Sequence, residues 1–357
     1  MAKEKSRKHT NGEVKQKKRK LSHDTEDGTV VDTSKPTAVF QPSGGRSHTL
    51  SIALPGSIIA NAKSHEQKTF LAGQIARALA VFCVDEIVVF DDEDATTQRR
   101  RPEVGEGEYT AFSHPDHFLA HVLSYLETPP HLRKTLFPMH PNLRTAGTLP
   151  SLDMPHHLRA NEWCEYREGV TGHSTTGTGG GGTLVDVGLP EYLEVPEEIP
   201  AGTRVTLRLH DQHSTTAETV APGAPREEKG YYWGYAVRQC NSLSNVFTEC
   251  PFDGGYDFSI GTSERGTALS DTLKSSALSN SPPFNRVLVV FGGVAGLEKA
   301  ARNDPQLQTM GIAEDNVNDL FDAWVNVLPG QGSRTIRTEE AVWLGLMGLR
   351  PFTEQLG

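Results

Sequence analysis

The sequence predicts an α/β protein in which a parallel sheet is interrupted by a small insertion with a β pattern of its own. Three observations carry that prediction. Strand-like and helix-like patterns alternate over residues 49–127, and three strand-like runs in the final third of the chain each lead into a glycine-containing loop. Between about 163 and 246 the pattern changes to short β-type runs separated by Pro, Gly and charged turns.

A length of 357 residues allows two domains and at least one large core. Hydrophobic residues make up 36% of the chain and no apolar run reaches membrane-spanning length, so a soluble chain is expected. Cys83, Cys164, Cys240 and Cys250 show no C-x-x-C spacing and no secretory signal precedes them. A disulfide framework and a zinc site are therefore not expected, and a reducing compartment fits. His114, His117, His121, His131, His140, His156 and His157 lack a metal-motif spacing and are read as surface or ligand-facing groups rather than metal ligands.

Residues 1–45 read as a tail, with few apolar residues and then Pro, Ser and Gly. It carries the basic cluster Lys15-Gln16-Lys17-Lys18-Arg19-Lys20. The first 20 residues hold nine Lys or Arg against two Glu, leaving 26 basic and 43 acidic residues for the other 337. Because the body is acidic, a nucleic-acid partner would need a local basic strip together with this arm. The arm reads as a nuclear-import signal, a nonspecific phosphate contact, or a solvated tail.

In chain order, TLSIAL (49–54) alternates as a strand and Pro55-Gly56 ends it. Over 66–82, Phe70, Leu71, Ile75, Leu79 and Phe82 recur at helical spacing, with Lys68 and Arg77 elsewhere on the surface. EIVVF (86–90) is a second strand, closed by the acidic loop 91–94. Phe118, Leu119, Val122, Leu123 and Leu126 make an amphipathic helix of 116–127. This order implies parallel pairing.

The insertion shows β-type runs at 182–187, 203–209 and 231–238. Arg204, Arg208 and Arg238 alternate with apolar residues, which puts them on one strand face. A small OB-like barrel suits that composition. Tyr231, Tyr232, Trp233 and Tyr235 are read either as a base-stacking platform beside those arginines or as barrel core. The chain returns to the first domain near Asn245. The expected division is thus a tail (1–45), a discontinuous α/β domain (46–160 and 246–357) and an inserted barrel (161–245).

In the last third, the strand-like run 256–260 leads into IGTSERG (260–266). RVLVVF (286–291) leads into GGVAGL, and FDAWVNVL (321–328) into PGQGSRTIRTEEA. Thr338 is expected to cap the final helix, Glu339 and Glu340 suit its positive end, and the apolar run 341–349 should be buried on several faces. Gly330 and Gly332 allow backbone groups to approach a flat ligand, and Arg334 and Arg337 can hold an anion. Taken alone, that stretch is a tight turn with two surface arginines. Three glycine loops at strand ends favour a ligand site, since ligands in open α/β sheets bind outside the carboxyl ends of strands.

FGGVAGL and SRTIRTEEA resemble the cofactor loops of SPOUT-class RNA methyltransferases. LPGSIIANAKSHEQKTFLAGQIARALAVFCVDEIVVFDD, HLRKTLFPMHPNLRTAGTLPSLDMPHHLR, REGV, YYWGYAVR and GYDFSIGTSERG resemble the eukaryotic and archaeal branch of that class with an inserted β-barrel. The resemblance is collinear over roughly 48–350. It implies a SPOUT-type α/β fold with a C-terminal trefoil knot, S-adenosylmethionine as cofactor, and a homodimer that buries the C-terminal helix region, Trp343 and Leu346 included. By the same resemblance Gly292, Gly293, Gly296, Leu297, Leu328, Gly330, Gly332, Ser333, Thr335 and Ile336 line the cofactor. An RNA substrate, ribosomal by this likeness, and a nuclear or nucleolar location follow.

The RTIRTEEA segment and its glycine loop also resemble bacterial SPOUT enzymes that methylate N3 of uridine in ribosomal RNA. That imide is protonated at neutral pH, so it needs a base or a cation that stabilises the anion. Arg265, and behind it Glu264, are the candidates, unless the two form a structural ion pair. Arg204, Arg208, Arg238, Tyr232, Trp233, Arg334 and Arg337 are the candidate RNA contacts. The alternative is a SPOUT-shaped RNA-binding or assembly protein without transfer activity, against which the three glycine loops argue. Neither GQGSRT nor FGGVAGL has P-loop or dinucleotide-binding order.

Overall fold

Strand β1 (Thr49–Pro55) is buried along its whole length and ends where Gly56 starts a 3-10 turn. Helix α1 (His65–Val81) begins at a capping box, with the Ser64 side chain accepting from the Gln67 N–H. Then come β2 (Glu86–Phe90), α2 (Ala95–Arg100), α3 (Pro115–Glu127) and α4 (Pro130–Leu136). The Asp94 carboxylate, at the end of the acidic loop 91–94, caps α2. This computed structural model describes residues 42, 44–102, 108–174, 182–275 and 284–356, all in the unit that spans 40–357. The basic cluster at 15–20, residues 103–107 and most of the glycine run at 177–182 lie outside the described residues.

The insertion supplies β3 (Tyr166–Ser174), β4 (Thr183–Asp186), β5 (Leu193–Val195), β6 (Arg204–Arg208) and β7 (Glu218–Val220). They form an antiparallel sheet in the order β5-β4-β3-β6-β7. Its two edges meet: the Glu194 N–H donates to Thr215 O at 2.9 Å, and Ala217 N–H donates to Glu194 O at 3.0 Å. Val185, Val187, Leu193, Val195, Leu207 and Leu209 fill the interior.

The chain continues through α5 (Ala224–Lys229), β8 (Ala236–Cys240), α6 (Leu243–Thr248), β9 (Phe258–Ala268), α7 (Leu269–Thr272) and β10 (Arg286–Val290). It closes with α8 (Gly296–Asn303), α9 (Pro305–Thr309), β11 (Ala323–Asn326) and α10 (Thr338–Thr353). Six strands make one wholly parallel sheet in the order β11-β9-β10-β1-β2-β8. Helices cover both faces, which is why β2 and β10 read as near-continuous apolar runs. Ile52, Leu54, Ile87, Val89, Val287 and Val289 pack with α1, α3 and α10 on one side; Ala53, Val88, Phe90, Leu288 and Val290 pack with α6 and α8 on the other.

Three expectations are corrected here. The strand read at 231–238 as part of the insertion is β8, which pairs with β2 at the edge of the parallel sheet. Tyr232 and Tyr235 belong to the core of that sheet, so the insertion ends earlier than 245. The cap of α10 is Arg337, whose N–H donates to the Glu340 carboxylate at 3.1 Å, while Thr338 is the first helical residue.

Candidate active site

The carboxyl ends of β9, β10 and β11 surround a cavity of about 290 Å³. Strand β9 supplies one wall through an interruption in its pairing. Ile260 and Gly261 face Ala323 and Trp324, and pairing resumes only at Thr267 and Ala268, opposite Val325 and Asn326. Residues 262–266 are pushed out of the ladder, a bulge that re-aims side chains as bulges beside sites do. Gly266 is needed at its end, because a Cβ there would lie 2.3 Å from the Val325 carbonyl carbon. Ser263, Glu264 and Arg265 are thereby presented to the cavity.

The second wall is the loop after β10. A Cβ on Gly292 would sit 2.9 Å from Leu297 N, and Gly296 has φ 76°, so the tight turn into α8 depends on both glycines. Gly293 leans against the end of β1: a Cβ there would be 3.2 Å from Ser57 Oγ. Ser57 in turn donates from Oγ and N–H to the two Asp92 oxygens at 2.6 and 3.1 Å. Burial pushes the Asp92 carboxyl up despite those bonds. The Thr338 hydroxyl donates to Gly292 O at 3.0 Å and ties α10 to this loop.

The third wall is the segment between β11 and α10. Asn326 Nδ2 donates to Glu264 O at 2.9 Å and Gln331 Nε2 to Glu264 Oε1 at 2.8 Å, so this segment is stitched to the bulge. Of the residues expected around the cofactor, Gly292, Gly293, Gly296, Leu328, Thr335 and Ile336 line the cavity. Leu297 lies beneath it, fully buried, and Gly330, Gly332 and Ser333 are outside its lining. Cβ positions on Gly330 and Gly332 meet nothing within 4 Å, so packing within the chain does not require glycine there; Gly330 does have φ 73°. Phe291, Glu298, Asn326 and Gln331, all beside glycine loops, also line the cavity, with Thr338, expected only as a helix cap, and Glu314, which had no sequence signal.

Glu264 and Arg265 do not pair with each other. Arg265 Nη1 is 3.7 Å from Glu298 Oε1 and its side chain is 78% exposed. Arg337 is 3.8 Å from Glu339, and Arg334 is exposed with no acidic partner among the described residues.

The expected RNA contacts of the insertion are placed differently. Arg204 Nη1 and Nε each lie 2.6 Å from a carboxylate oxygen, of Glu127 and Glu168 respectively. Arg208 is paired with Glu218 and Glu228, and Arg238 with Glu86 and the Tyr256 hydroxyl. These arginines offset acidic side chains rather than present free charge, and Arg238 is on β8, so the three do not share a face. Tyr232 is buried with its hydroxyl donating to Val84 O at 3.1 Å, and Trp233 donates to Glu168 Oε1 at 2.8 Å. Both are core, not a stacking platform, because each polar tip has an interior acceptor. A larger cavity of about 590 Å³ adjoins Arg204, Glu127, Glu168 and Trp233, but those groups are already bound to one another.

His156 and His157 point inward to Glu127, and His131 to Glu168 O, which corrects their reading as surface groups. Among the described residues no group of three or more His, Cys, Asp or Glu is arranged to hold a metal ion, and no helix is long and apolar enough to cross a membrane. Leu346 is already buried within this chain and Trp343 packs edge-on against Phe82. The apolar side chains left exposed on α1 and α10 are Phe70, Val81, Leu344 and Met347.

A parallel sheet with a glycine-walled cavity outside three adjacent strand ends defines a protein that holds a small ligand largely by its backbone. The chain belongs to the family described as "Putative RNA methyltransferase", which it matches over residues 49–349. It is 47% identical over 323 residues to the 28S rRNA (uridine-N(3))-methyltransferase of Homo sapiens, covering 88% of this chain and 81% of that protein. It is 46% identical over 321 residues to the Mus musculus protein of the same name, covering 88% and 79%. To the one of Drosophila melanogaster it is 43% identical over 311 residues, covering 85% and 62%. An RNA methyltransferase needs an RNA substrate and a methyl donor.

Proposed function

We propose that this protein transfers a methyl group from S-adenosylmethionine to N3 of a uridine in 28S ribosomal RNA. The observation that carries the reading is the cavity itself: glycine backbone and Glu298 on one wall and Glu264 and Arg265 on another, within the stretch shared with uridine-N3 methyltransferases. The residues fit the cofactor. Gly292, Gly293 and Gly296 leave backbone accessible, and the Glu264 and Glu314 carboxylates suit a ligand that carries a sulfonium and an ammonium.

The cofactor supplies an already activated methyl group. The chain's own tasks are to hold that ligand against residues 292–296 and 326–336, to align the base with it, and to manage one proton. Arg265, on the bulge and mostly exposed, is free to meet the negative charge that develops on the base.

Several finer features belong to the same reading. The parallel sheet with residues 326–338 beside the glycine loop forms a SPOUT-type domain whose C-terminal segment is threaded as a trefoil knot. The antiparallel sheet with meeting edges is an OB-like barrel inserted into it, and residues 1–45 are a basic arm that adds phosphate contacts and directs the chain to the nucleus and nucleolus. Two copies pair over the apolar surface of α1 and α10 (Phe70, Val81, Leu344, Met347), in line with its exposure. RNA meets the protein at Arg334, Arg337 and the arm.

The test is nucleoside mass spectrometry of 28S rRNA from cells with and without the gene, together with calorimetric titration of the protein with S-adenosylmethionine. Loss of one 3-methyluridine and saturable cofactor binding are expected. Unchanged nucleosides with no cofactor binding would instead fit an RNA-binding protein without transfer activity.

A further inference from the structure

Glu298, in the first turn of α8, is the sheltered carboxylate of the cavity: its side chain is 12% exposed, against 47% for Glu314. Glu264 is exposed and its Oε1 already accepts from Gln331. Glu298 Oε1 accepts from Ser263 Oγ at 3.2 Å and lies 3.7 Å from Arg265 Nη1. Its Oε2 folds back over the glycine loop, 2.1 Å from where a Cβ on Gly296 would stand, and accepts no hydrogen bond among the described residues. A single carboxylate therefore touches the bulge that carries Arg265 and the loop read as the cofactor wall, with one oxygen uncommitted.

We propose that Glu298 and Arg265 act as a pair that reads the imide edge of the target uridine, and that Glu298 receives its N3 proton. The proposal rests on the methyl transfer read in the preceding subsection. Uridine presents a donor, N3–H, between two carbonyl acceptors. A carboxylate beside a guanidinium matches that order: Glu298 accepts from N3–H while Arg265 donates to the neighbouring carbonyl oxygen. At N3 and C4 cytidine presents the opposite pattern, a lone pair next to an amino group, so the pair, with Arg265 on the C4 side, repels it at both atoms.

In the reaction the N3–H proton passes to the Glu298 carboxylate as the nitrogen pair forms the new N–C bond. The C–S bond breaks with its electrons left on sulfur, and the proton on Glu298 then leaves to water. Arg265 offsets the negative charge that gathers on the carbonyl oxygen. Ser263 holds the carboxylate in orientation and is a positioning residue.

The experiment compares wild-type protein with Glu298→Gln in single-turnover methylation of 28S rRNA transcripts made with uridine or with 5-fluorouridine, whose N3–H is more acidic. Gln is isosteric and still accepts from Ser263. On ordinary RNA the variant is expected to lose about 10²-fold in rate, the usual worth of a positioned base. On 5-fluorouridine RNA most of that deficit should disappear, and calorimetric affinity for S-adenosylmethionine should match wild type. An equal deficit on both RNAs overturns the proton role, as does a variant that keeps the wild-type rate. Loss of cofactor binding in Glu298→Gln also overturns it, by making Glu298 a cofactor contact. A wild-type protein that methylates neither RNA refutes the underlying reading, an outcome separate from all of these.

Discussion

Arg204 and Arg265 both lie on strands, both flank a cavity and both sit beside glutamate, yet their surroundings give them opposite work. Arg204 is held by two buried carboxylates, Glu127 and Glu168. Burial opposes its charge, and the carboxylates overcome that and raise its pKa further. It joins α3 of the parallel domain to β3 and β6 of the insertion. Arg265 has one 3.7 Å contact and is mostly in solvent. A guanidinium that offsets buried acid has no charge to offer a ligand, whereas one that touches acid loosely at a cavity mouth does.

Removing Arg204 should therefore produce the largest effect on stability. Arg204→Ala leaves Glu168 buried without a countercharge and Glu127 with only its His156 contact, and is expected to cost about 3–5 kcal/mol in urea unfolding. A variant as stable as wild type would break the comparison at its stronger end. The same contact has a pH signature. Burial alone would raise the Glu127 carboxyl, but Arg204 and His156 outweigh it and hold it down at about 2. A depressed carboxyl contributes stability above its unfolded value and loses it as pH falls through the folded one. Acid unfolding should thus take away roughly 3 kcal/mol between about pH 4.5 and 2, and Arg204→Ala should flatten that slope.

A smaller effect is expected at Trp233. Trp233→Phe keeps the ring but withdraws the donor from Glu168 Oε1, at about 1–3 kcal/mol for a buried acceptor that loses one partner. RNA affinity of the folded variant should not change, and a selective loss of RNA binding would restore the stacking platform. Smallest of all are Arg265→Ala and Arg334→Ala, each expected within about 0.5 kcal/mol of wild type by thermal unfolding. Arg265→Ala should nonetheless lose methyl transfer with both ligands still bound. A normal single-turnover rate would reduce Arg265 to a surface residue.

The parallel sheet and the glycine walls were legible in the sequence because they depend on local rules: apolar runs of strand length, helical spacing in 66–82, and glycine where a turn meets a helix. The arginines were not, because alternation along 204–208 places side chains on a face without saying what faces them. Glu127 lies 77 residues from Arg204 in the chain, and no local pattern links the two. Tyr232 and Trp233 were ambiguous for the same reason, since an aromatic run suits a core and a platform equally. Glu298 was overlooked because it lies on a helix while its neighbours Ser263 and Arg265 come from β9, brought close by a bulge that only pairing with β11 reveals.

The sheet order also sets a timetable for synthesis. β1 finds β2 soon after both leave the ribosome, but its other neighbour, β10, follows the whole insertion. The ladder β3–β7 closes among residues 166–220, so the insertion is complete while the centre of the parallel sheet stands open. During that interval β1 offers an unpaired apolar edge, which is both slow to be covered and a template for wrong partners. Ribosome-stalled chains cut after Asn241 are expected to resist protease across 166–220 and to be cleaved across 49–55. Equal resistance in both segments would mean that the sheet's centre is protected before β10 is made.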